Sequence, residues 1–387
     1  MSQPIRPRRN LRRFRIIVLA VVVAVEAPGV ALLAHLLGNS ALAIVLAALV
    51  STPYLLGLRD PFDDPPKSVW LRYFGLWPFF AWWTGCLVFL FLAPIAIAIA
   101  AIGGWPIYTA LFVAGAAALV SGVRATYREP RVRKIEVAIA GLPRAFDRYR
   151  IAHLSDVHCG SFTPAGRVAR WVARINRLGA DLVAVTGDLI TSGERWVDPV
   201  AEALAGLRGA DGVYACMGNH DYFVHRRAPG MQSDEERAGI PEVAAALERR
   251  GIPVLLNRGI TVDKEGALLY VAGVDDTWTG RDDVEAALAG RPEGAATVLL
   301  AHDPNLFPQA VAKGVELTLS GHTHGGQLAV PLWSRRLTLA RLVTRFTAGL
   351  YQMGRSALYV NRGAGTTGPP IRLGARAEIV LIVLRAA

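Results

Sequence analysis

Ile151-Ala-His-Leu-Ser-Asp-Val-His158 and Leu182-Val-Ala-Val-Thr-Gly-Asp188 each run from a short apolar stretch into an acidic residue. Short apolar runs bounded by turn residues are typical of strands buried in a sheet. In open α/β sheets, ligands bind at the carboxyl ends of the strands, so these side chains are expected at one sheet edge. Three further motifs follow similar runs: Gly218-Asn219-His220-Asp221, His302, and Gly321-His322-Thr323-His324.

Between these motifs, strand-like and helix-like segments alternate along the chain. The segment 163–178 has apolar residues at helical spacing and begins with Thr163-Pro164, a favourable helix start. Further helices are predicted at 198–207, 241–250 and 282–288, and strands continue to 378–384. This alternation predicts an α/β fold in which helices cover layered sheets.

The first third of the chain is much more apolar than the rest. Hydrophobic residues make up 52% of the 387 residues, and four stretches approach or exceed the ~18–20 residues that cross a bilayer as a helix. We expect about four transmembrane helices rather than a cleavable signal peptide, because long apolar segments follow the first one. The predicted stretches are 16–37, 41–58, 74–102 and 105–123.

The domain organisation follows from these patterns. A basic cytoplasmic tail (1–15) precedes a transmembrane domain (16–123), a basic connector (124–149) and a soluble domain (150–387). Glu26 lies at membrane depth, which makes it either a functional candidate or a carboxyl that pairs with a neighbouring helix.

The net charge of +11 is concentrated beside the apolar segments. Residues 1–15 hold six arginines and no acid, and residues 124–150 hold eight basic and three acidic residues. From residue 151 onward, 25 basic residues face 24 acidic ones. A nearly neutral domain argues against nucleic-acid binding and favours attraction of the flanking segments to anionic lipids. By the positive-inside rule, the protein is predicted to be a multi-pass protein of the inner membrane with its soluble domain in the cytoplasm.

The strand-end motifs together supply oxygen and imidazole donors without thiolates. This donor set suits two divalent ions, with manganese preferred and zinc, iron or magnesium as alternatives. A single Gly-Asp or Asn-His pair is usually turn chemistry, but the joint occurrence favours metal binding. Cys159 and Cys216 beside the motifs are interpreted as buried fillers, and His153 and His225 as structural or surface residues.

In this order the motifs resemble the signature of calcineurin-like metallophosphoesterases, over about residues 150–384. The resemblance implies a four-layer α/β/β/α sandwich and a metal-activated hydroxide that attacks phosphorus in line. It also implies that His220 donates a proton to the leaving group and that Asp221 orients His220. The first ion would be held by Asp156, His158, Asp188 and His324, and the second by Asp188, Asn219, His302 and His322.

Asp303 and two arginines are secondary candidates for roles near the site. Asp303 could orient His302 or serve only in the turn before Pro304. Arg362 and Arg372 are candidates for clamping a substrate phosphate.

The sequence predicts the type of reaction more specifically than the substrate. Leu189-Ile-Thr191 after Gly187-Asp188 departs from the protein Ser/Thr phosphatases, which continue with Asp-Arg-Gly. The chain is similar to the membrane-linked bacterial branch that includes UDP-2,3-diacylglucosamine hydrolases of lipid A biosynthesis, through Gly321–Gln327, Val274-Asp275-Asp276 and 359–363. A lipid-linked or small phosphorylated substrate at the bilayer is therefore expected, while the oligomeric state stays open. The alternatives are a membrane sensor or scaffold that binds a phosphorylated ligand without turnover, and a phosphodiesterase of unrelated substrate.

Arginines and leucines interleave between Pro331 and Phe346. This pattern fits a membrane-facing lip or acyl-chain groove, and it equally fits a solvated basic helix face over core leucines.

Overall fold

The structure is a computed structural model that describes residues 11–57, 70, 74–75, 77–103, 107–222, 224, 240–329, 336–368 and 370–386. The chain divides into two compact units, residues 1–124 with 369–371 and residues 125–368 with 372–387. Most of the predicted basic tail lies outside the described residues, as does His225. Arg59, Lys67 and Arg72, the basic residues between the second and third apolar stretches on which the predicted orientation also depends, lie outside them too.

The first unit forms helices at all four predicted apolar stretches. Within the described residues, the segment Leu19–Leu37 is long and apolar enough to cross a membrane, and Ser40–Leu55 is a shorter apolar segment. Four membrane crossings therefore stay a prediction, whereas one candidate span near the N-terminus is established. The helices are α1 (Leu11–Leu37), α2 (Ser40–Gly57), α3 (Trp77–Gly103) and α4 (Ile107–Tyr127).

Glu26 lies on α1 and is 8% exposed. The hydroxyl of Ser51 on α2 donates a hydrogen bond of 2.7 Å to its carboxyl group. This contact satisfies a polar group among apolar neighbours, so it supports the structural interpretation of Glu26.

The second unit contains two sheets. One has the strand order β1-β11-β2-β3-β4 and the other β5-β6-β7-β8-β10-β9. The strands are β1 (Arg131–Ile139), β2 (Arg150–Leu154), β3 (Leu182–Thr186), β4 (Val213–Cys216), β5 (Arg258–Lys264), β6 (Ala267–Gly273), β7 (Ala296–Leu300), β8 (Leu317–Ser320), β9 (Gly349–Met353), β10 (Ser356–Val360) and β11 (Glu378–Ala386).

Alternating side chains on each strand fill two different cores. Leu182 and Ala184 of β3 join a core that also holds residues of the second sheet, such as Val298. Their neighbours Val183 and Val185 pack on the opposite face with the helices of the first sheet. This period of two explains why almost every position of the strands is apolar, and the predicted mixed α/β sandwich with two sheets is confirmed.

Helices cover the outer faces of both sheets. A cluster around Trp171 packs α5, α6 and α7 on the first sheet, and a smaller cluster around Leu299 packs α8 and α9 on the second. The helices of this unit are α5 (Ala165–Asn176), α6 (Val197–Leu204), α7 (Glu242–Glu248), α8 (Val284–Leu288) and α9 (Phe307–Ala312).

Part of the predicted connector 124–149 belongs to the first sheet. The sequence pattern of this connector suggests a strand at 134–138, but strand β1 is longer and pairs in parallel with β11 along its whole length. Because β11 runs antiparallel to β2, β1 and β11 begin at the edge where β2, β3 and β4 end. That edge carries the candidate site.

Candidate metal centre

The five motifs follow the carboxyl ends of strands from both sheets. Asp156 and His158 follow β2, Asp188 follows β3, and the later motifs follow β4, β7 and β8. Backbone hydrogen bonds join the first two loops, from the Asp156 amide to the Gly187 carbonyl (3.0 Å) and from the His158 amide to the Asp188 carbonyl (2.9 Å). These hydrogen bonds join the two turns into one support for the ligand side chains.

Five of the predicted ligands adopt a left-handed backbone conformation, with φ between 45° and 71°. Residues other than glycine rarely adopt positive φ, and such strain gathers at functional sites where the surroundings enforce it. Here it turns the side chains together beyond the strand ends. The five residues are Asp156, His158, Asp188, His322 and His324.

A first group of donors surrounds His158. Its Nε2 atom lies 3.0 Å from His324 Nε2 and 3.4 Å from Asp188 Oδ2. His324 Nε2 lies 3.4 Å from Asp156 Oδ1. The four residues are buried, and their ligand atoms all lie within 4.8 Å of one another.

A second group shares Asp188 with the first. Asp188 Oδ2 lies 3.2 Å from His302 Nε2, which in turn lies 3.3 Å from His322 Nδ1. His322 Nδ1 is also 3.1 Å from the side-chain oxygen of Asn219. The structure thus brings together all seven predicted metal ligands in two adjoining sets, with one carboxylate common to both.

The chemistry of these donors fits cations. Two imidazole nitrogens that face each other at 3.0 Å need either a shared proton or a cation between them. Asp156 Oδ2 is buried and has no hydrogen-bond partner among the described residues, which is costly unless another group satisfies it. Both features are expected of ligands that converge on metal ions, so the residues fit the pair of ions.

Electrostatics prepare the imidazoles for binding. Burial lowers the pKa values of His158 and His324 well below the ordinary value, and burial together with His302 lowers the pKa of His322 to about 4. These rings are therefore neutral at pH 7 and keep a lone pair for a metal. Burial opposes ionisation of Asp188, but the imidazoles of His302 and His220 outweigh it and hold its pKa well below the usual range.

Two motif glycines are required by close packing. A Cβ on Gly218 would lie 2.3 Å from Asp188 Oδ1, and a Cβ on Gly321 would lie 2.2 Å from Asp156 Oδ2. Any side chain at either position would displace a ligand carboxylate. This explains why each motif begins with glycine.

The prediction that Asp221 orients the ring of His220 is wrong. The Asp221 carboxylate accepts hydrogen bonds from the four backbone amides of residues 188, 189, 190 and 218, at 2.7–3.3 Å. The ring of His220 is held instead by the Thr191 carbonyl, 2.7 Å from Nδ1. A short carboxylate buried behind the Gly187-Asp188 turn reaches those amides, so Asp221 fixes the turn that presents the shared ligand.

Asp303 has the turn role rather than a role in orienting His302. Its carboxylate accepts hydrogen bonds from the Asn305 amide and the Thr277 hydroxyl, both at 2.8 Å. The Thr186 carbonyl lies 2.7 Å from His302 Nδ1 and sets the orientation of that ring.

Neither candidate arginine is available to clamp a substrate at the metal ligands. Arg372 is 1% exposed and donates to the carbonyls of Gly363, Gly365 and Ala375, and its Nη2 atom lies 3.2 Å from His324 Nδ1. Arg362 forms an ion pair of 3.0 Å with Glu378. Arg372 therefore supports the loop around His324 from behind.

Sequence reasoning missed the groups that position the ligands. Backbone carbonyls of Thr186 and Thr191 orient two imidazoles, and a carbonyl leaves no trace in residue type. Trp278 was also missed; its ring packs edge-on against His322 at 5.5 Å and is 43% exposed. Its position four residues after Val274, beyond the end of β6, was the available signal.

The neighbouring cysteines are not nucleophiles. Cys159 and Cys216 are fully buried. Burial raises the pKa of the Cys216 thiol far above the usual range, so a thiolate does not form at physiological pH.

The segment 336–345 carries exposed apolar side chains beside this site. Leu337, Leu342 and Val343 are 50%, 84% and 66% exposed, so they are not core leucines beneath a basic face. The hydroxyl of Thr338 donates to the Gly325 carbonyl at 3.0 Å, which attaches the segment to the residue after His324. Arg335 lies outside the described residues.

Comparisons with known proteins agree on this part of the chain. The sequence profile of the calcineurin-like phosphoesterase family matches residues 149–326. The chain is 32% identical over 290 residues to a "Transmembrane protein with metallophosphoesterase domain" from Danio rerio, an alignment that covers 70% of this chain and 62% of that protein.

Two further relatives are similar to the chain over comparable lengths. A Bos taurus protein of the same name is 32% identical over 284 residues, covering 69% of this chain and 60% of the relative. The uncharacterized metallophosphoesterase YkuE of Bacillus subtilis is 29% identical over 247 residues, covering 63% of this chain and 82% of the relative. The chain therefore spans about three fifths of the length of the two animal relatives.

Proposed function

Because the sequence profile of the calcineurin-like phosphoesterase family matches residues 149–326, we propose that this chain is a metal-dependent phosphoesterase with a dinuclear centre. The observation that carries the proposal is Asp188, which lies in both groups of ligand atoms. A carboxylate shared between two adjoining ligand sets is what two ions ~3.5–4 Å apart require.

Each of the two groups of ligand atoms would hold one ion. Asp156, His158, Asp188 and His324 would hold one ion, and Asp188, His302 and His322 with the Asn219 oxygen would hold the other. Bound divalent ions would neutralise phosphate oxygens and acidify water, which is the chemistry that a resistant phosphoester needs. The backbone fixes these donors in advance, since five of them sit in enforced left-handed turns.

His220 is proposed to supply a proton to the leaving oxygen. Its amide donates to Asp188 Oδ1 at 2.9 Å, which places the residue beside the shared ligand. Thr191 O accepts from Nδ1, so the neutral ring carries its proton on Nδ1, and Nε2 is the atom that gains and gives a proton.

Turnover of a generic phosphodiester tests this proposal. We expect the manganese-loaded full chain in detergent to hydrolyse bis(p-nitrophenyl) phosphate, with a loss of at least about a thousandfold in Asp188→Ala, since metal and positioning are lost together. Asp198→Ala, an exposed carboxylate on α6, is the matched control and should keep wild-type activity. If the loaded wild type is inactive, the alternative of a sensor or scaffold that binds without turnover replaces the enzyme.

The substrate is proposed to be lipid-linked and met at the bilayer surface. Exposed Leu342 and Val343 beside the exposed Arg341 and Arg345 suit the boundary between headgroups and acyl chains. The hydrogen bond from Thr338 to Gly325 ties this segment to the metal-ligand loop. The helical first unit and the names of the animal relatives, which are called transmembrane proteins, support the same setting.

UDP-2,3-diacylglucosamine is the specific substrate proposed, in a bacterial inner membrane with the catalytic domain in the cytoplasm. Release of UMP by the purified protein would support a place in lipid A biosynthesis. Strong activity on other phosphodiesters without UMP release removes this assignment but leaves the phosphoesterase. Reporter fusions at the C-terminus test the side of the membrane, and a periplasmic signal would contradict the cytoplasmic placement.

A further inference from the structure

A basic cavity lies in the unit that carries the metal ligands, and none of the predicted ligands lines it. It has a volume of about 410 Å³ and is lined by Arg131, Arg133, Arg362, Gly374, Arg376, Ala377 and Glu378. The side chains come from three separate segments: the start of β1, the loop after β10 and the start of β11. Four arginines and one glutamate leave the lining with a charge of +3.

Glu378, the one acidic residue in the lining, already accepts several hydrogen bonds. Glu378 is 4% exposed and accepts hydrogen bonds from the Arg362 guanidinium (3.0 Å), the Arg362 amide (3.1 Å) and the Tyr359 hydroxyl (3.0 Å). It holds one arginine in place and neutralises that charge. Its remaining capacity to attract the other arginines is small.

The other three guanidinium groups have no acidic partner among the residues that the structure describes. Arg131 and Arg133 are two residues apart on β1 and share one face of the strand, and Arg376 comes from the segment before β11. All three are exposed at the cavity, so their charges repel one another without compensation. Like charges that converge on a cavity are expected where an anion binds.

The cavity adjoins the metal-ligand loop. A Cβ on Gly325, the residue after His324, would lie 3.1 Å from Arg362 Cγ. The cavity is therefore tied to the loop that carries His324.

We propose that this arginine cavity is a second anion site, which takes a phosphate ester separate from the phosphate at the metal centre. A guanidinium group can donate two parallel hydrogen bonds to two phosphate oxygens. The lining residues carry a net charge of +3, which suits a doubly charged phosphate monoester better than a singly charged carboxylate. The phosphate can belong to a lipid headgroup or to a free phosphate compound. The site does not depend on hydrolysis at the metal centre.

Equilibrium dialysis of radiolabelled phosphate against the metal-loaded full chain in detergent measures both sites at once. We expect two phosphates per chain in the wild type and one in Arg131→Gln/Arg133→Gln. The matched control Lys134→Gln/Arg144→Gln removes two exposed charges from the same stretch outside the cavity and should keep two. Arg376→Gln, on a different segment, should weaken the second phosphate at least tenfold.

Dihexanoyl phosphatidic acid, compared with inorganic phosphate, identifies the source. Tighter binding of the lipid by at least tenfold indicates a headgroup site, and equal binding indicates a site for free phosphate compounds. One phosphate per chain in the wild type that is unaffected by the arginine substitutions overturns the proposal. Loss of the other phosphate in Asp188→Ala, with the arginine site intact, shows that the two sites succeed or fail independently.

Discussion

Among single residues, Asp221 has hydrogen-bond partners that its sequence motif does not indicate. One carboxylate accepts four backbone amides around the Gly187-Asp188 turn. Asp221→Asn replaces one acceptor oxygen by an NH₂ group that faces amide donors. We expect a loss of about 3 kcal/mol in the free energy of unfolding and weaker metal binding, measured by thermal unfolding and metal titration.

The pH dependence of turnover separates this role from the one predicted by sequence. Because Thr191 O holds the His220 ring, Asp221→Asn should leave the pH profile of kcat unchanged at saturating metal. A profile displaced by a full pH unit would show that Asp221 acts on His220 after all. Asp198→Asn on the surface is the control for loss of one carboxylate.

His153 is a second residue whose burial has a measurable consequence. It is fully buried, its Nε2 lies 2.8 Å from the Thr186 hydroxyl, and burial lowers its pKa to about 3. The unfolded chain takes up a proton near pH 6.5, whereas the folded chain does not until about pH 3. Stability should therefore fall as the pH drops from 6.5 towards 3, by up to about 1.4 kcal/mol per pH unit.

Thermal unfolding of the chelated protein between pH 6.5 and 4.5 tests this linkage. His153→Gln should reduce the slope of the unfolding free energy against pH by the contribution of one proton, because glutamine does not titrate. An unchanged slope would mean that other groups carry the pH dependence. Chelation keeps loss of metal from contributing to the change.

At the scale of elements, the exposed segment 336–345 links the site to a surface. Leu342→Asn/Val343→Asn removes two side chains that are 84% and 66% exposed, so the fold should tolerate the change. We expect turnover of a lipid-linked phosphoester in vesicles to fall at least fivefold, while bis(p-nitrophenyl) phosphate turnover stays within twofold. Ile240→Asn, 63% exposed elsewhere, is the matched control. Equal loss on both substrates would contradict a role at the lipid surface.

The strands and their ends could be predicted from the sequence. Each strand is a short apolar run, and a Gly-Asp, Gly-Asn or Gly-His pair marks the turn where several of these runs end. Asp156 and Asp188 could be placed at one sheet edge, because they follow neighbouring parallel strands. The partners of the site residues could not. Thr186 and Thr191 act through carbonyls, and Arg372 reaches His324 across 48 residues. Such contacts depend on how loops from different strands pack, and no local pattern encodes that packing.

At the scale of the whole molecule, the chain joins a helical apolar unit to the two-sheet sandwich. The joint is short, since β1 begins four residues after α4 ends. Arg167 of α5 donates to the Thr126 and Arg128 carbonyls, at 2.6 and 3.0 Å, and so fixes the beginning of the second unit.

Arg167→Gln should loosen that joint without touching the metal ligands. Because the guanidinium is mostly buried and bridges two carbonyls, we expect faster amide exchange over 125–131 and little change in exchange at the β3 and β4 ends. Arg170→Gln, whose side chain is 64% exposed, is the control. Unchanged exchange over 125–131 would show that the contact does not hold the joint.

The number of metal ions bound per chain tests the proposed dinuclear centre. Mass spectrometric metal analysis of the purified full chain after loading with manganese should give two ions per chain. Asp188→Ala should give one ion or none, because it removes a ligand from both groups. A wild-type value of one or zero, or two ions retained in Asp188→Ala, would contradict a centre built on this shared carboxylate.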